Sequence, residues 1–511
     1  MPDIQQSIPL FILIPLLGVF LLALIARKKN FNADLILFFV ILILLLLCGP
    51  LFGFIKKSGM VVYCLGAWRL PEAISFIVDG LAAFFLTSVC LVGFCLMLFS
   101  LRFIDLYGEK WKFYSLFLLL LTGVNGVIIA GDLFTMYLFM EAAAVASYAL
   151  VCFSLENKAL AFGFKYMIKG VMASAIIFLA IAVCYCYTST LALADIANQL
   201  YTRQNVANDP GMVFVVLFIQ SLLFLGFLIK SGIVPVYSWV ADSQDATLAL
   251  VSAILGAVII PVLGIYPFIR IYFNIIGPNP ESLAMLRIIA VLAMLGALVW
   301  ALRKQQLKPV IAYHTMAEFA FVLLGIGIGT RLGVLAGLLH LLNTQVAVAL
   351  VNCNAGLIDY IFHPKKSGLS GYGFKQMPGA FISSFFSSGA FFGLPPFFGF
   401  WTKLLIIFAA WQAGYKLSAF GAILAMGIVG VSFFKTKNLL FLKNSDYEPD
   451  PKIRKIKPVM ALALMLMIGL CLGLNLLLFS TAQNTFVRPA IKTILSATNY
   501  SKTVFKAENE K

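Results

Sequence analysis

The chain has 511 residues, of which 62% are hydrophobic and 11% charged, with a mean hydropathy of +1.00 and a formal net charge of +16. That composition excludes a water-soluble globular domain and places the chain among polytopic membrane proteins. The positive charge calls for no nucleic-acid partner, because it gathers in short loops between apolar stretches, where contact with the lipid bilayer and its anionic headgroups accounts for it.

Apolar stretches of about 20 residues, the length that crosses roughly 30 Å of hydrocarbon as a helix, recur from end to end. About fourteen spans are expected, at 8–26, 33–55, 80–101, 113–130, 133–153, 164–187, 212–236, 248–273, 286–302, 310–329, 332–358, 378–411, 417–434 and 458–478. They are numbered 1 to 14 below. The short alternating segments of a membrane β-barrel are not seen, so the expected fold class is an all-α polytopic membrane protein.

Span 1 follows Asp3 rather than a basic residue and has no small-residue cleavage site after it, so it is expected to stay as an anchor. Arg27, Lys28 and Lys29 come directly after it, and later basic residues collect in alternate loops: Arg303, Lys304 and Lys308; Lys365, Lys366 and Lys375; Lys435 through Lys457. By the positive-inside rule these loops are cytoplasmic, which makes this a multi-pass plasma (inner) membrane protein with both termini on the outer side. Residues 188–211 read as an exposed loop with a short amphipathic piece, and the tail after 479 as a polar segment with Phe486, Ile491 and Leu495 on a surface.

Ionisable residues inside apolar spans carry the functional signal. A charge at mid-bilayer costs roughly 2.5–3.5 kcal/mol even on the lenient insertion scale. Glu141 and Lys230 are 89 positions apart, and so are His314 and Lys403, with an offset of 173 between the two pairs. The same offset lays GFLIK (226–230) on GFWTK (399–403), so spans 4–8 correspond to spans 9–13. An odd number of helices per copy makes the two repeats inverted. The expected division is 1–112 (spans 1–3), 113–275 (first repeat), 276–440 (second repeat) and 441–511 (cytoplasmic loop, span 14 and tail).

Gly232 and Pro235 follow Lys230, and Pro395 and Pro396 precede Lys403. Spans 7 and 12 are therefore expected to be discontinuous, each with a lysine at its break, since irregular backbone at membrane depth survives only in protein or along a wet cavity. A lysine taken out of water has its affinity for protons lowered, and a nearby carboxylate raises it again, so Lys230 beside Glu141 makes a switchable proton store. A structural ion pair and a snorkelling lysine are the competing readings. His314 and His340, with Glu318 one turn after His314, are candidate relays or hydrogen-bonded packing. Lys169 in span 6 is a further relay candidate, while Asp79, Asp132, Asp242 and Asp245 read as solvated caps at span ends.

Nine cysteines, mostly within spans, offer no zinc or iron–sulfur spacing, and no dinucleotide fingerprint is present, so no metal or cofactor is expected in this chain.

The strings VDGLAAFF (78–85), GDLFTMYLFMEAAAVASYALV (131–151), IKSGIVPVYSWVADSQDATLALVSAIL (229–255), LKPVIAYHTMAEFAFVLLGIGIG (307–329), HLLN (340–343) and GLPPFFGFWTKLLI (393–406) are similar, in order and spacing, to one family. The chain resembles the antiporter-like proton-translocating membrane subunits shared by complex I, membrane-bound energy-converting hydrogenases and Mrp-type cation/proton antiporters. Lys403, where one branch carries glutamate, resembles the D-type and N-type members.

The resemblance implies that Glu141 and Lys230 form an input pair, that His340 belongs to a central polar axis and that Lys403 is a terminal proton site. It implies a subunit without a catalytic site of its own, moving protons or exchanging them for Na+, beside other membrane subunits that carry any redox chemistry. The chain departs from the family in span 8, where Pro261 and Val262 stand in place of a central lysine. It departs again in span 11, with Thr344 and Val348, and in the span 7–8 connection, with Tyr237, Ala241, Gln244, Leu248 and Leu250. A structural subunit that has kept the fold and lost conduction is the alternative these departures leave open.

Overall fold

A computed structural model describes residues 4–25, 32–66, 68–206, 210–233, 238–362, 378–441, 454–495 and 500–509. Pro235, Tyr237, the basic groups at 27–29 and 365–375, and the loop from Lys443 to Lys452 lie outside the described residues. Among the described residues thirteen helices are long and apolar enough to cross a membrane. The remaining predicted span, 12, is two half-helices, Pro378–Phe392 and Phe398–Gln412, each too short to cross alone. Span 7 is likewise divided, into Pro210–Lys230 and Ser238–Ala246.

The expected architecture is present, with ends placed by local chemistry. Asp79 accepts from the Ala82 amide at 2.9 Å to start span 3 (Gly80–Phe103), and Asp132 from the Thr135 amide at 2.7 Å to start span 5 (Leu133–Val151). Asn279 and Ser282 form a reciprocal capping box ahead of span 9 (Pro280–Arg303), whose first residue is a proline that needs no donor there. Neither aspartate is solvated, in contrast to the sequence expectation: Asp79 is 1% exposed and Asp132 8%. Each satisfies helix-end amides that would otherwise be orphaned inside the protein.

The two repeats pack alike. Span 4 (Lys110–Ile129) runs along span 5 as span 9 runs along span 10 (Leu307–Gly327). Span 6 (Asn157–Thr188) packs on the first half of span 7 as span 11 (Arg331–Phe362) packs on the second half of span 12. Small residues permit these approaches: a Cβ on Gly123 would lie 2.6 Å from the Ala143 amide of span 5, and one on Gly325 would lie 2.8 Å from Gly337 Cα of span 11.

Spans 8 (Ala249–Ile276) and 10 are wholly buried over their apolar windows and span 11 is 94% buried, whereas spans 1, 2, 6, 9, 13 and 14 are 28–39% buried. Polar groups on the central helices are thereby kept from lipid. Span 8 is not a plain α-helix; it widens to π-helix over Leu255–Ile265 and Arg270–Ile276. Pro261 lies in the first of these segments and cannot donate to the carbonyl four residues back, which the wider register accommodates.

One face of the molecule carries structure that periodicity did not reveal. Strands β1 (Met60–Cys64) and β2 (Ser75–Asp79) pair antiparallel, Met60 opposite Asp79, and add a small hairpin to the otherwise helical fold. The expected amphipathic piece is the helix Leu193–Val206. The tail forms helices Ser480–Phe486, Arg488–Leu495 and Tyr500–Asn509, which pack on the hairpin, on Leu193–Val206 and on span 3. Phe486 meets Phe52 and Phe84 at ring distances of 5.2 and 5.1 Å, and Ile491 is 4% exposed. Of the three tail residues expected on a surface, Leu495 is the exposed one, at 43%. The first helical turn, Ile4–Ser7, also packs on β1, so it shares this face with the tail helices.

Candidate functional site

Lys230 is the last residue of the first half of span 7. The chain then turns through Ser231 and Gly232, the latter at φ +64°, a conformation that glycine adopts without penalty. The turn lies against span 8, where a Cβ on Gly264 would come within 2.8 Å of the Ser231 amide. Lys230 Nζ donates to Glu141 Oε1 of span 5 at 3.2 Å. Ser174 of span 6 donates a short hydrogen bond to the same carboxylate oxygen. The two partners differ in environment: the Lys230 side chain is 4% exposed and that of Glu141 27%. Beside them a small pocket, with room for about one water molecule, is lined by Tyr148, Tyr166, Gly170, Lys230, Ile259 and Leu263, and it borders both the couple and span 8.

The second site is fully enclosed. Lys403, in the second half of span 12, donates to Glu318 Oε1 of span 10 at 2.6 Å and to the Phe392 carbonyl at 3.3 Å. That carbonyl ends the first half-helix, so the break supplies an acceptor and the negative end of a helix dipole to the ammonium. Gly393, at φ +68°, turns the chain away directly afterwards. His340 Nε2 of span 11 lies 3.1 Å from Glu318 Oε2, at ion-pair distance but outside hydrogen-bond geometry. Its Nδ1 is 2.9 Å from Thr402 Oγ1.

His314 is therefore not the partner of Lys403, as the sequence offset had paired them. Its ring is 0% exposed, packed edge-on to Phe392 at 4.8 Å, and neither nitrogen has a hydrogen-bond partner among the described residues. The carboxylate is one turn further on, at Glu318. Residues four apart share a helix face, so the repeat keeps the face and shifts the height. The breaks shift too: span 7 breaks after its lysine and span 12 before it. Lys169 lies half-buried on span 6, five residues before Ser174.

A third buried couple was not legible from spacing. Arg270, at the end of span 8, makes two hydrogen bonds to Asp79, NH1 to Oδ2 at 2.5 Å and NH2 to Oδ1 at 2.8 Å. Tyr266 OH accepts from Arg270 and donates to the Ile128 carbonyl, and Asn274 Nδ2 donates to the Thr493 carbonyl of the tail at 2.6 Å. The only sequence signal was an arginine closing an apolar run. Among the described residues no group of three or more His, Cys, Asp or Glu side chains is placed to hold a metal ion.

Two lysine–carboxylate couples with buried lysines, one fully enclosed and one with its carboxylate partly exposed, each at a helix break and one extended by an imidazole, can take up, hold and release protons when the distance within a couple changes. Comparison with known proteins points the same way. The family model described as NADH:quinone oxidoreductase/Mrp antiporter, TM, matches residues 130–434. The chain is 27% identical over 425 residues to the D-type subunit of a Na(+)/H(+) antiporter from Alkalihalophilus pseudofirmus, covering 81% of this chain and 84% of that protein. It is also 27% identical over 405 residues to the N-type subunit of an NADH-quinone oxidoreductase from Desulforudis audaxviator, covering 78% of each. Its fold matches a chain of the Mrp complex from Dietzia sp. DQ12-45-1b with a TM-score of 0.86 at 23% identity, covering 98% and 99% of the two chains. A chain of the archaeal membrane-bound sulfane sulfur reductase matches with the same TM-score at 25% identity, covering 98% and 100%.

Proposed function

The chain belongs to the NADH:quinone oxidoreductase/Mrp antiporter transmembrane family, and we propose that it works there as a proton-translocating subunit of a multisubunit membrane assembly. The observation that carries this reading is the pair of couples with buried lysines, Glu141–Lys230 and Glu318–Lys403, one in each repeat and each beside a break. Burying ions is costly and rarely stabilises a fold on its own account, so two such couples on matching helices speak for use rather than for packing.

In this reading Glu141 is the input. Its partial exposure on span 5 supports contact with a neighbouring subunit, whose change of charge draws the carboxylate away from Lys230 or returns it. Separated from Glu141, the desolvated Lys230 gives up its proton; rejoined, it takes one back. The proton passes to the Glu318–His340–Lys403 cluster, where the same electrostatics govern release. Redox centres, where the assembly has them, belong to other subunits. The relatives' names span Na+/H+ antiport and quinone reduction, and the proposed role is the ion-moving step common to both. The Ile4–Ser7 turn and the tail helices share one face, and the basic loops of the sequence support an outer location for that face in the plasma membrane.

The test is proton movement by the purified assembly in liposomes, read with a pH-sensitive dye. Lys230→Ala and Lys403→Ala are each expected to abolish it. Unchanged pumping in both variants would favour the second reading, a structural subunit without conduction, for which the apolar Pro261 and Val262 of span 8 speak.

A further inference from the structure

The pocket beside Lys230 holds a polar group that the resting fold leaves unused. Tyr148 is 8% exposed, and its hydroxyl has no hydrogen-bond partner among the described residues. Buried hydroxyls are ordinarily paired, so one left alone next to a titratable lysine calls for an account. Its placement is specific. Tyr148 follows Glu141 by seven residues, two helical turns, which sets both on one face of span 5. Its ring packs edge-on to Tyr166 of span 6 at 4.7 Å, and the Tyr166 hydroxyl is paired with Ser147 at 2.9 Å. The Tyr148 hydroxyl itself is lodged against Gly170, where a Cβ would lie 1.9 Å from it, so a residue without a side chain is what gives it room.

Tyr148, Gly170 and Lys230 line one pocket. Room for about one water is also room for an ammonium group, which is of similar size, and the flexible stem of a lysine can carry it there from Glu141. The site is equally prepared for Glu141 to leave. Ser174 donates to Glu141, and the Gly170 carbonyl stands 3.0 Å from the same serine hydroxyl as a second acceptor. When the carboxylate withdraws, Ser174 keeps a hydrogen bond, and Tyr148 offers Lys230 the same. The second repeat supports the arrangement. The offset of 173 lays Tyr148 on Phe321 of span 10, and Lys403 Nζ stands 5.4 Å from the centre of the Phe321 ring. An aromatic ring thus flanks the lysine in both repeats, and the ring beside the partly exposed couple carries the hydroxyl.

The geometry points to Tyr148 as a positioning residue that receives Lys230 in the interval when Glu141 is withdrawn. Its hydroxyl accepts a hydrogen bond from the ammonium and donates one to the neutral amine once the proton has gone. This deepens the proton-translocating reading above and rests on it. Lys230 gives up one proton and later takes one back, while Tyr148 keeps its own throughout.

Two experiments on the assembled complex test this. In Glu141→Ala, where the lysine has lost its carboxylate, an electron-microscopic map should show Lys230 Nζ about 3 Å from the Tyr148 hydroxyl, within hydrogen-bond reach. Tyr148→Phe keeps the ring and removes a hydroxyl that the resting fold does not bond, so thermal stability should be unchanged. Proton movement in liposomes should nevertheless slow about tenfold, and its alkaline fall should shift to lower pH, because the lost hydrogen bond favours the ammonium. The titratable neighbours Glu141 on span 5 and Tyr166 on span 6 are unaltered in that variant, and span 8 faces the pocket with Ile259 and Leu263. A map with Lys230 turned away from Tyr148, or full-rate movement in Tyr148→Phe with the pH profile unmoved, overturns the role of Tyr148. With Lys230→Ala inactive, the proposed function still stands. Slowing matched by a lower melting temperature, with the pH profile unmoved, marks packing and overturns the role as well. Full-rate movement in Lys230→Ala overturns both readings.

Discussion

Glu318 and Lys403, 85 positions apart, hold each other at 2.6 Å with side chains 2% and 1% exposed. Removing one partner of such a couple leaves a lone buried charge, at a cost of about 3–5 kcal/mol, whereas removing both is far milder. Glu318→Gln should therefore lower the unfolding temperature of the detergent-solubilised assembly, and adding Lys403→Met should restore most of it while ion movement stays lost. Equal thermal losses in the single and double variants would show that the couple is not the source of the effect.

Asp79 and Arg270 form the equivalent couple on the face that carries the tail, with side chains 1% and 2% exposed. Asp79→Asn is expected to destabilise by about 3–5 kcal/mol, because it strands the guanidinium. It should also loosen the tail, which touches the cluster through Thr493 and Tyr500. Limited proteolysis reads this directly: the variant should lose the helices after Ser480 sooner than the unaltered chain, and identical cleavage rates would contradict the coupling.

Gly393 sits at φ +68°, and a Cβ there would lie 3.2 Å from Lys403 Nζ. Gly414 has a comparable φ of +81° with nothing within 4 Å. Alanine at either position incurs roughly 1–2 kcal/mol of left-handed strain, and at Gly393 the Cβ also crowds the Gly399 backbone at 3.1 Å, so both variants should be less stable and Gly393→Ala the more so. Only Gly393→Ala crowds the ammonium, and only it should slow ion movement. Parallel thermal melts and liposome assays of the two variants separate backbone strain from interference at the lysine; equal slowing in both would sink the distinction.

Asp132, ahead of span 5, is held above its ordinary carboxyl value chiefly by burial, against the lowering effect of the Thr135 hydrogen bonds. A raised folded value means that the fold prefers the neutral acid. Asp132 then favours stability at pH below the ordinary aspartate range, and that contribution is lost as pH rises through the raised value. Asparagine keeps the cap without the charge, so Asp132→Asn should equal or exceed the unaltered chain in thermal stability at pH 7 and lose that advantage in acid. A stability deficit at neutral pH would show that the charge itself holds the cap.

The membrane spans, the two breaks and both lysines were legible in the sequence because each rests on a local signal: a run of apolar residues long enough to cross, a Gly or Pro that interrupts it, a charge too costly to be idle. The repeat offset found the lysines but misplaced one carboxylate, since a helix presents residues 314 and 318 on one face and sequence spacing does not tell which height meets Lys403. Only the tertiary structure decided that Glu318 and His340 complete that site, and that Arg270 finds Asp79 across 191 positions. The same holds for the tail packed against the hairpin and for the π-helical register of span 8. These depend on how helices are rotated and raised against one another, which is fixed by close packing at residues such as Gly123, Gly264 and Gly325 and is not carried by any single segment.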